Sequence, residues 1–151
     1  MLIYRKATEA DLKRIVELLQ EDELGATREY LSEILDPRYV EAFSLIDHDP
    51  QQYLMVVEQA QEIIATCHLT IMPSLTFTGS TRMQIEAVRV AGSMRGQKIG
   101  EQMMQEAIAY GKDKGARIIQ LTTNKKRPRA KQFYERLGFE ATHEGMKLYL
   151  Q

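Results

Sequence analysis

The stretch Arg95-Gly96-Gln97-Lys98-Ile99-Gly100 constrains this chain most, because it joins an apolar β-like run to an apolar-periodic helix through a basic turn that carries glycine. The run ahead of it, Met83-Gln84-Ile85-Glu86-Ala87-Val88-Arg89-Val90, is rich in β-branched residues and ends in the turn signal Ala91-Gly92-Ser93. Beyond it, Ile99, Met103, Met104, Ala107 and Ile108 recur at helical spacing up to Gly111, with Lys112, Lys114 and Gly115 as stop signals. Strand, glycine turn and helix together form an anion-binding arrangement. The first N–H groups of the helix lack intrahelical partners, and with the positive end of the helix dipole they attract phosphate. Gly96 allows close backbone approach, and Arg95 and Lys98 add charge. Alone, a glycine turn before a helix is most often only a turn.

A second segment strengthens the reading. In Arg127-Pro128-Arg129-Ala130-Lys131-Gln132-Phe133-Tyr134-Glu135-Arg136-Leu137-Gly138-Phe139, residues Ala130, Phe133, Tyr134 and Leu137 fall at i, i+3, i+4 and i+7. Pro128 suits the first helical turn and Gly138 the position just past the end, so a short amphipathic helix is expected to run into a strand.

In this order and about thirty residues apart, the two segments resemble the GNAT superfamily of N-acetyltransferases. Its coenzyme motif has the form R/Q-x-x-G-x-G/A after the fourth strand, and its later segment reads like A-x-x-F-Y-E-x-L-G-F. Residues 22–29, 84–90 and 143–148 are similar to a group of small bacterial GNAT proteins, and Leu121 to Arg127 more distantly resembles aminoalkylphosphonate acetyltransferases. One departure stands out: most relatives have glycine where this chain has Lys98, so the side chain must point away from the ligand or reach a phosphate itself.

The resemblance implies acetyl-CoA as co-substrate and direct acetyl transfer to a primary amine, without a covalent enzyme intermediate or a metal. It places Arg95, Gly96, Gln97, Lys98, Ile99, Gly100 and Glu101 around the pyrophosphate. Val88, Arg89 and Val90 would lie along the pantetheine arm, and Asn124 and Arg127 would flank the coenzyme. Glu86 is the implied general base, acting directly or through water, although several relatives place the base where Gln84 stands. The alternative for Glu86 is a structural pairing with Arg89 or another basic group, since a carboxylate on so apolar a strand is costly to bury unpaired. Strand alternation puts Glu86, Val88 and Val90 on one face. Tyr134 is the implied acid for the departing thiolate; by spacing alone it would be core.

Other elements follow from periodicity. Leu2 to Ala7 reads as a strand, and Thr8 caps a helix with Leu12, Ile15, Val16, Leu18 and Leu19 inward. Residues 27–47 read as helical, interrupted at Asp36-Pro37. Strands are expected over Tyr53–Glu58 and Ile63–Met72, joined by the turn Gln59 to Glu62, which lacks the usual glycine or asparagine. Strands over Met83–Val90, Ile118–Thr122, Phe139–Thr142 and Met146–Leu150 complete the pattern. The expectation is one α/β (α+β) domain over residues 1–151. Its GNAT fold would be a mixed central sheet of six to seven strands with helices on both faces.

Composition bounds the partners. At 151 residues and 44% hydrophobic content the chain suffices for one core, and a net charge of -1 argues against a general nucleic-acid binder. The basic residues Lys125, Lys126, Arg127, Arg129 and Lys131 read as a solvated helix start, or, beside the cradle, as a site for CoA phosphates. A single cysteine, Cys67, leaves no internal disulfide, and it reads as buried and structural. His48, His68 and His143 share no metal-ligand spacing and read as surface or satisfied histidines. With no signal-like or spanning run, a cytoplasmic bacterial protein is expected, with no nucleic-acid or membrane partner. Homodimers are common among relatives. For the acceptor, the resemblance points to the first helices and the loop Pro73 to Arg82. Glu21, Asp22, Glu23 and Glu29 could attract a cationic amine, or simply be solvated helix ends. A small-molecule acetyltransferase is the first reading; a protein or peptide acetyltransferase and a catalytically weak CoA-binding sensor or interaction module remain beside it.

Overall fold

The structure is a computed structural model that describes residues 1–151. It divides into two units, Met1–Gln120 and Leu121–Gln151.

In the first unit, β1 (Ile3–Lys6) leads through a 3-10 turn at Glu9–Asp11 into α1 (Leu12–Gln20). Asp11 organises this entry. Its carboxylate accepts the Thr8 N–H at 2.8 Å and the Thr8 hydroxyl at 3.1 Å, closing a capping box. Arg5 donates to the same carboxylate through both terminal nitrogens, at 2.7 and 3.0 Å. That fork holds the Asp11 carboxyl below its ordinary value, against the opposing effect of burial.

Two helices follow, α2 (Glu23–Arg28) and α3 (Pro37–Asp47), with no helix between them. The break expected at Asp36-Pro37 is present and Pro37 itself opens α3, whereas the helix expected ahead of it from residue 27 does not form over 29–36. Proline lacks only an N–H that the first turn leaves unpaired anyway, and Asp36 caps it by accepting the Arg38 N–H at 2.9 Å.

Next, β2 (Gln52–Gln59) and β3 (Glu62–Met72) form an antiparallel hairpin. Its two turn residues, Ala60 and Gln61, both take positive φ, 51° and 67°. This is the twist a two-residue hairpin requires, here without the glycine or asparagine that adopts it readily. A single turn, α4 (Thr76–Gly79), precedes β4 (Thr81–Val90), and α5 (Ile99–Asp113) leads into β5 (Ala116–Leu121). The sheet order is β1-β2-β3-β4-β5, with antiparallel pairing from β1 through β4.

The sheet is covered on both faces. Leu12, Ile15, Val16 and Leu18 of α1 pack with Phe43 of α3 against Leu54, Val56 and Ile63. On the other face α5 brings Met103, Met104 and Ala107 to full burial. Gly111 lets α5 approach β4, because a Cβ there would stand 2.9 Å from the Met83 methyl and 3.0 Å from its sulfur. Cys67 is fully buried in β3, and burial pushes its thiol up to about 12, which fits a structural residue and not a nucleophile. No helix is long and apolar enough to cross a membrane.

The second unit contains α6 (Pro128–Arg136), with Pro128 in the first turn as expected. The strands expected over Phe139–Thr142 and Met146–Leu150 do not form, so the sheet has five strands and not six to seven. Alternation of Met146, Leu148 and Leu150 with Lys147 and Tyr149 is a strand pattern. A strand also needs a hydrogen-bonded neighbour, and these side chains stand at 83–92% exposure where they are apolar or aromatic.

Candidate active site

The fourth strand is where the site departs from simple alternation. Across β3 and β4, Glu86 stands opposite His68 and Arg89 opposite Thr66, so Ala87 and Val88 together face Cys67. Ala87 takes φ 53°, and the extra residue makes a β-bulge. The bulge shifts the parity of every residue after it. Val90, paired with Ala65, therefore lies on the face of Ile85, which pairs with Leu69. Glu86 lies on the opposite face, which corrects the expectation that Glu86, Val88 and Val90 share one.

Glu86 is exposed, so the cost of burying an unpaired carboxylate does not arise. Its neighbour is His68, whose Nδ1 lies 3.8 Å from a Glu86 carboxylate oxygen. The suggested Glu86–Arg89 pairing is not the one formed. Arg89 instead donates from one terminal nitrogen to the Val88 carbonyl at 2.9 Å, and its Nε lies 4.0 Å from the Asp22 carboxylate. Thus one Val88 backbone group expected to meet the coenzyme already receives a side chain of this protein.

After β4 a 3-10 turn, Gly92–Met94, carries the chain to the segment Arg95–Gly100. The Gly92 N–H donates to the Glu21 carboxylate at 3.1 Å, tying the turn to the end of α1. Arg95, Gly96, Gln97 and Lys98 are exposed, whereas Ile99 is buried and anchors the first turn of α5. Gly96 has φ 81°. Lys98 has φ 60° and ψ 22°, a left-handed residue at the cap of α5. Its carbonyl accepts the Gln102 N–H at 3.1 Å, which starts the helix and leaves the N–H groups of Ile99, Gly100 and Glu101 without intrahelical acceptors. Glu101 is the acidic residue of that first turn. The backbone thus adopts at Lys98 the conformation that glycine favours, although the residue is lysine.

The acidic group near the first helices is largely committed to structure. Glu21 holds Gly92, Asp22 caps α2 by accepting the Gly25 N–H at 2.6 Å, and Glu29 accepts the Tyr39 hydroxyl at 2.9 Å. The loop Pro73 to Arg82 presents Leu75 and Phe77 at 95% and 72% exposure, with the Arg82 guanidinium 5.5 Å from the Phe77 ring centre. Gln84, the other base position in relatives, accepts from the Gln120 amide at 2.9 Å.

In the second unit, Asn124 shapes the approach to α6: its side-chain oxygen accepts the Lys126 N–H and its carbonyl the Arg127 N–H, both at 2.9 Å. Arg127 sits at the cap of α6. Tyr134 is half-buried in an aromatic cluster, edge-on to Phe133 and Phe139 with ring centres 5.2 and 6.0 Å away.

Sequence reasoning missed the placement of His68. Thr66, His68 and Thr70 alternate with apolar residues along β3, a polar face that could have drawn notice, but its register against Glu86 depends on the bulge.

Comparison with known proteins agrees with this geometry. The profile of the Acetyltransferase (GNAT) family matches residues 12–139. An aminoalkylphosphonate N-acetyltransferase of Salmonella typhimurium is 40% identical over 60 residues, which are 40% of this chain and 39% of that protein, so the chain spans about two fifths of that relative. A crystal structure of a transcriptional regulator from Bacillus halodurans superimposes with a TM-score of 0.97 at 43% identity, covering 99% of this chain and 100% of that one. A predicted acetyltransferase from Clostridium acetobutylicum, solved with acetyl-CoA, shares the fold at a TM-score of 0.75 and 22% identity over 99% of this chain and 96% of that one. With a family profile matched from α1 through the residues that follow α6, and with strand, turn and helix in the family's order, the chain belongs to the acetyltransferase (GNAT) family.

Proposed function

We propose that this protein is an acetyl-CoA-dependent N-acetyltransferase that moves an acetyl group directly to the primary amine of a small molecule. The observation that carries the reading is the left-handed Lys98 at the head of α5, which opens the first turn of a fifteen-residue helix beyond the exposed, basic segment Arg95–Lys98. Those N–H groups and the helix dipole suit a pyrophosphate, and Arg95 and Lys98 add charge. The residues present therefore fit the coenzyme. Val88, Arg89 and Val90 would run beside its pantetheine arm, Gly96, Gln97, Ile99, Gly100 and Glu101 would surround its phosphates, and Asn124 and Arg127 would flank it.

Bound acetyl-CoA supplies an activated thioester. The chain's own residues then have two tasks, proton removal from the acceptor and proton supply to the thiolate. Glu86 serves the first, by drawing a cationic amine and easing the loss of its proton. Tyr134 serves the second. The Salmonella relative makes aminoalkylphosphonates the natural start of an acceptor panel.

A second reading has one observation in its favour: the Bacillus halodurans protein is described as a transcriptional regulator. On that reading the cradle senses CoA and turnover is weak. Thiol release from acetyl-CoA across a panel of amines, aminoalkylphosphonates, polyamines and peptides separates the two. Amine-dependent release supports the transferase, and tight coenzyme binding with no acceptor-dependent release supports the sensor.

A further inference from the structure

Gln52, His68 and Glu86 form a chain of contacts across β2, β3 and β4, and Asp49 fixes its direction. The Gln52 amide nitrogen lies 3.0 Å from an Asp49 carboxylate oxygen. Its hydrogen bonds with Gln52 and the Gln51 N–H hold that carboxyl below its ordinary value, so it is anionic and only accepts. The amide nitrogen of Gln52 must therefore face Asp49, which leaves the Gln52 oxygen toward His68. That oxygen lies 2.7 Å from His68 Nε2. An amide oxygen has no hydrogen to give, so Nε2 carries the proton and donates it. In the neutral ring Nδ1 is then the bare nitrogen, and it is the atom that lies 3.8 Å from the Glu86 carboxylate.

We propose that His68 is a catalytic residue, the base that takes the acceptor's proton at Nδ1, while Glu86 holds the acceptor's ammonium beside it. This rests on the transferase reading above. A separation of 3.8 Å is too long for a direct hydrogen bond, and a lone pair and a carboxylate oxygen this close together suit an ammonium, which has an N–H to give each. Glu86 is exposed and reachable from solvent, whereas the His68 side chain is 16% exposed and held from behind by Gln52. An imidazole is also a stronger base than a carboxylate, and so better matched to neutral pH.

The ammonium gives one proton to His68 Nδ1, and the amine lone pair forms the C–N bond to the acetyl carbon as the C–S bond breaks. Tyr134 supplies the thiolate's proton, the nitrogen's surplus proton makes good that loss, and the imidazolium returns its own to solvent. Ammonium and acetyl-CoA become amide, free CoA and one proton.

Titration supports the assignment. Burial lowers the His68 pKa below 6.5, and Glu86 opposes that shift. Of the groups around the ring, Glu86 on β4 is the charged one; Leu54 and Gln52 on β2 are neutral, and Asp49 reaches it through Gln52. The ring is thus neutral and ready to accept a proton at pH 7.

The test uses the full chain in two measurements. Long-range proton–nitrogen NMR of the imidazole, assigned by comparison with His68→Gln, should show Nε2 protonated and Nδ1 bare; the opposite tautomer overturns the proposal. In steady-state kinetics with the best acceptor, kcat/KM should rise along a limb whose midpoint matches the NMR pKa of His68. His68→Gln should lower kcat about 100-fold or more and remove that limb. Glu86→Gln should chiefly raise KM for the amine. His68→Gln with wild-type kcat and an unchanged limb overturns the role of His68. Failure of the wild type itself to turn over any amine tells against the transferase reading, and the two failures are therefore distinguishable.

Discussion

The Glu21 carboxylate accepts the Gly92 N–H at 3.1 Å, so the residue that closes α1 grips the turn that leads from β4 to Arg95–Gly100. Its neighbour Asp22 holds Arg89 and caps α2. Glu21 and Asp22, two of the four acidic residues near the first helices, thus fasten the segment that leads out of β4. Glu21→Ala should destabilise the fold by about 1 kcal/mol, the usual net scale for an exposed intramolecular hydrogen bond, and should weaken acetyl-CoA binding several-fold. Urea unfolding and calorimetric titration read the two effects, and a variant with unchanged affinity would show that the grip is not needed for binding.

Lys98 occupies a left-handed conformation at φ 60°. Lys98→Gly should raise stability by about 1 kcal/mol, since the left-handed cost to an L-residue slightly exceeds the entropy cost of glycine. Lys98→Ala keeps the backbone cost and should show no gain. Denaturant unfolding checks both, and a fall in stability for the glycine variant would mean that the lysine side chain itself holds the turn.

Ala60 and Gln61 make the β2–β3 turn with positive φ at both positions. The double change Ala60→Asn and Gln61→Gly should stabilise the protein by about 1 kcal/mol without affecting acetyl-CoA binding, because it supplies the residues this turn favours. An unfolding midpoint that does not rise would contradict the turn geometry.

These cases show what was legible in the sequence. Pro128, the apolar periods of α1 and α5, and the order of strand, turn and helix around Arg95–Gly100 are local patterns, and each appears in the structure where the residues indicate. The Ala87 bulge was not legible, because alanine gives no sign of a positive φ and the insertion exists only relative to β3. Once it is present, the face of Val90 and the meeting of His68 with Glu86 follow. The residues Met146 to Leu150 carry a strand's alternation without a strand's partner, a property that no local pattern contains.

Asp11 joins Arg5, Thr8 and the start of α1. Its carboxyl is held below the ordinary 3.8 in the folded state, so the stabilisation is fully present above that value and is lost as pH falls through the lowered folded value. Asp11→Asn should cost about 1–3 kcal/mol at pH 7, and the gap to wild type should narrow only at the acid end of that range. A gap that stays constant from neutral to strongly acidic pH would remove the charge from the explanation.

The most direct test of an acetyl-CoA-dependent transferase is a calorimetric titration with acetyl-CoA followed by the thiol-release panel, on the wild type and on Tyr134→Phe. The expected result is coenzyme binding in both proteins, amine-dependent thiol release by the wild type, and a clearly lower kcat in the variant with little change in coenzyme affinity. Absence of acetyl-CoA binding to the folded wild type would contradict the cradle at Arg95–Gly100 and the function built on it.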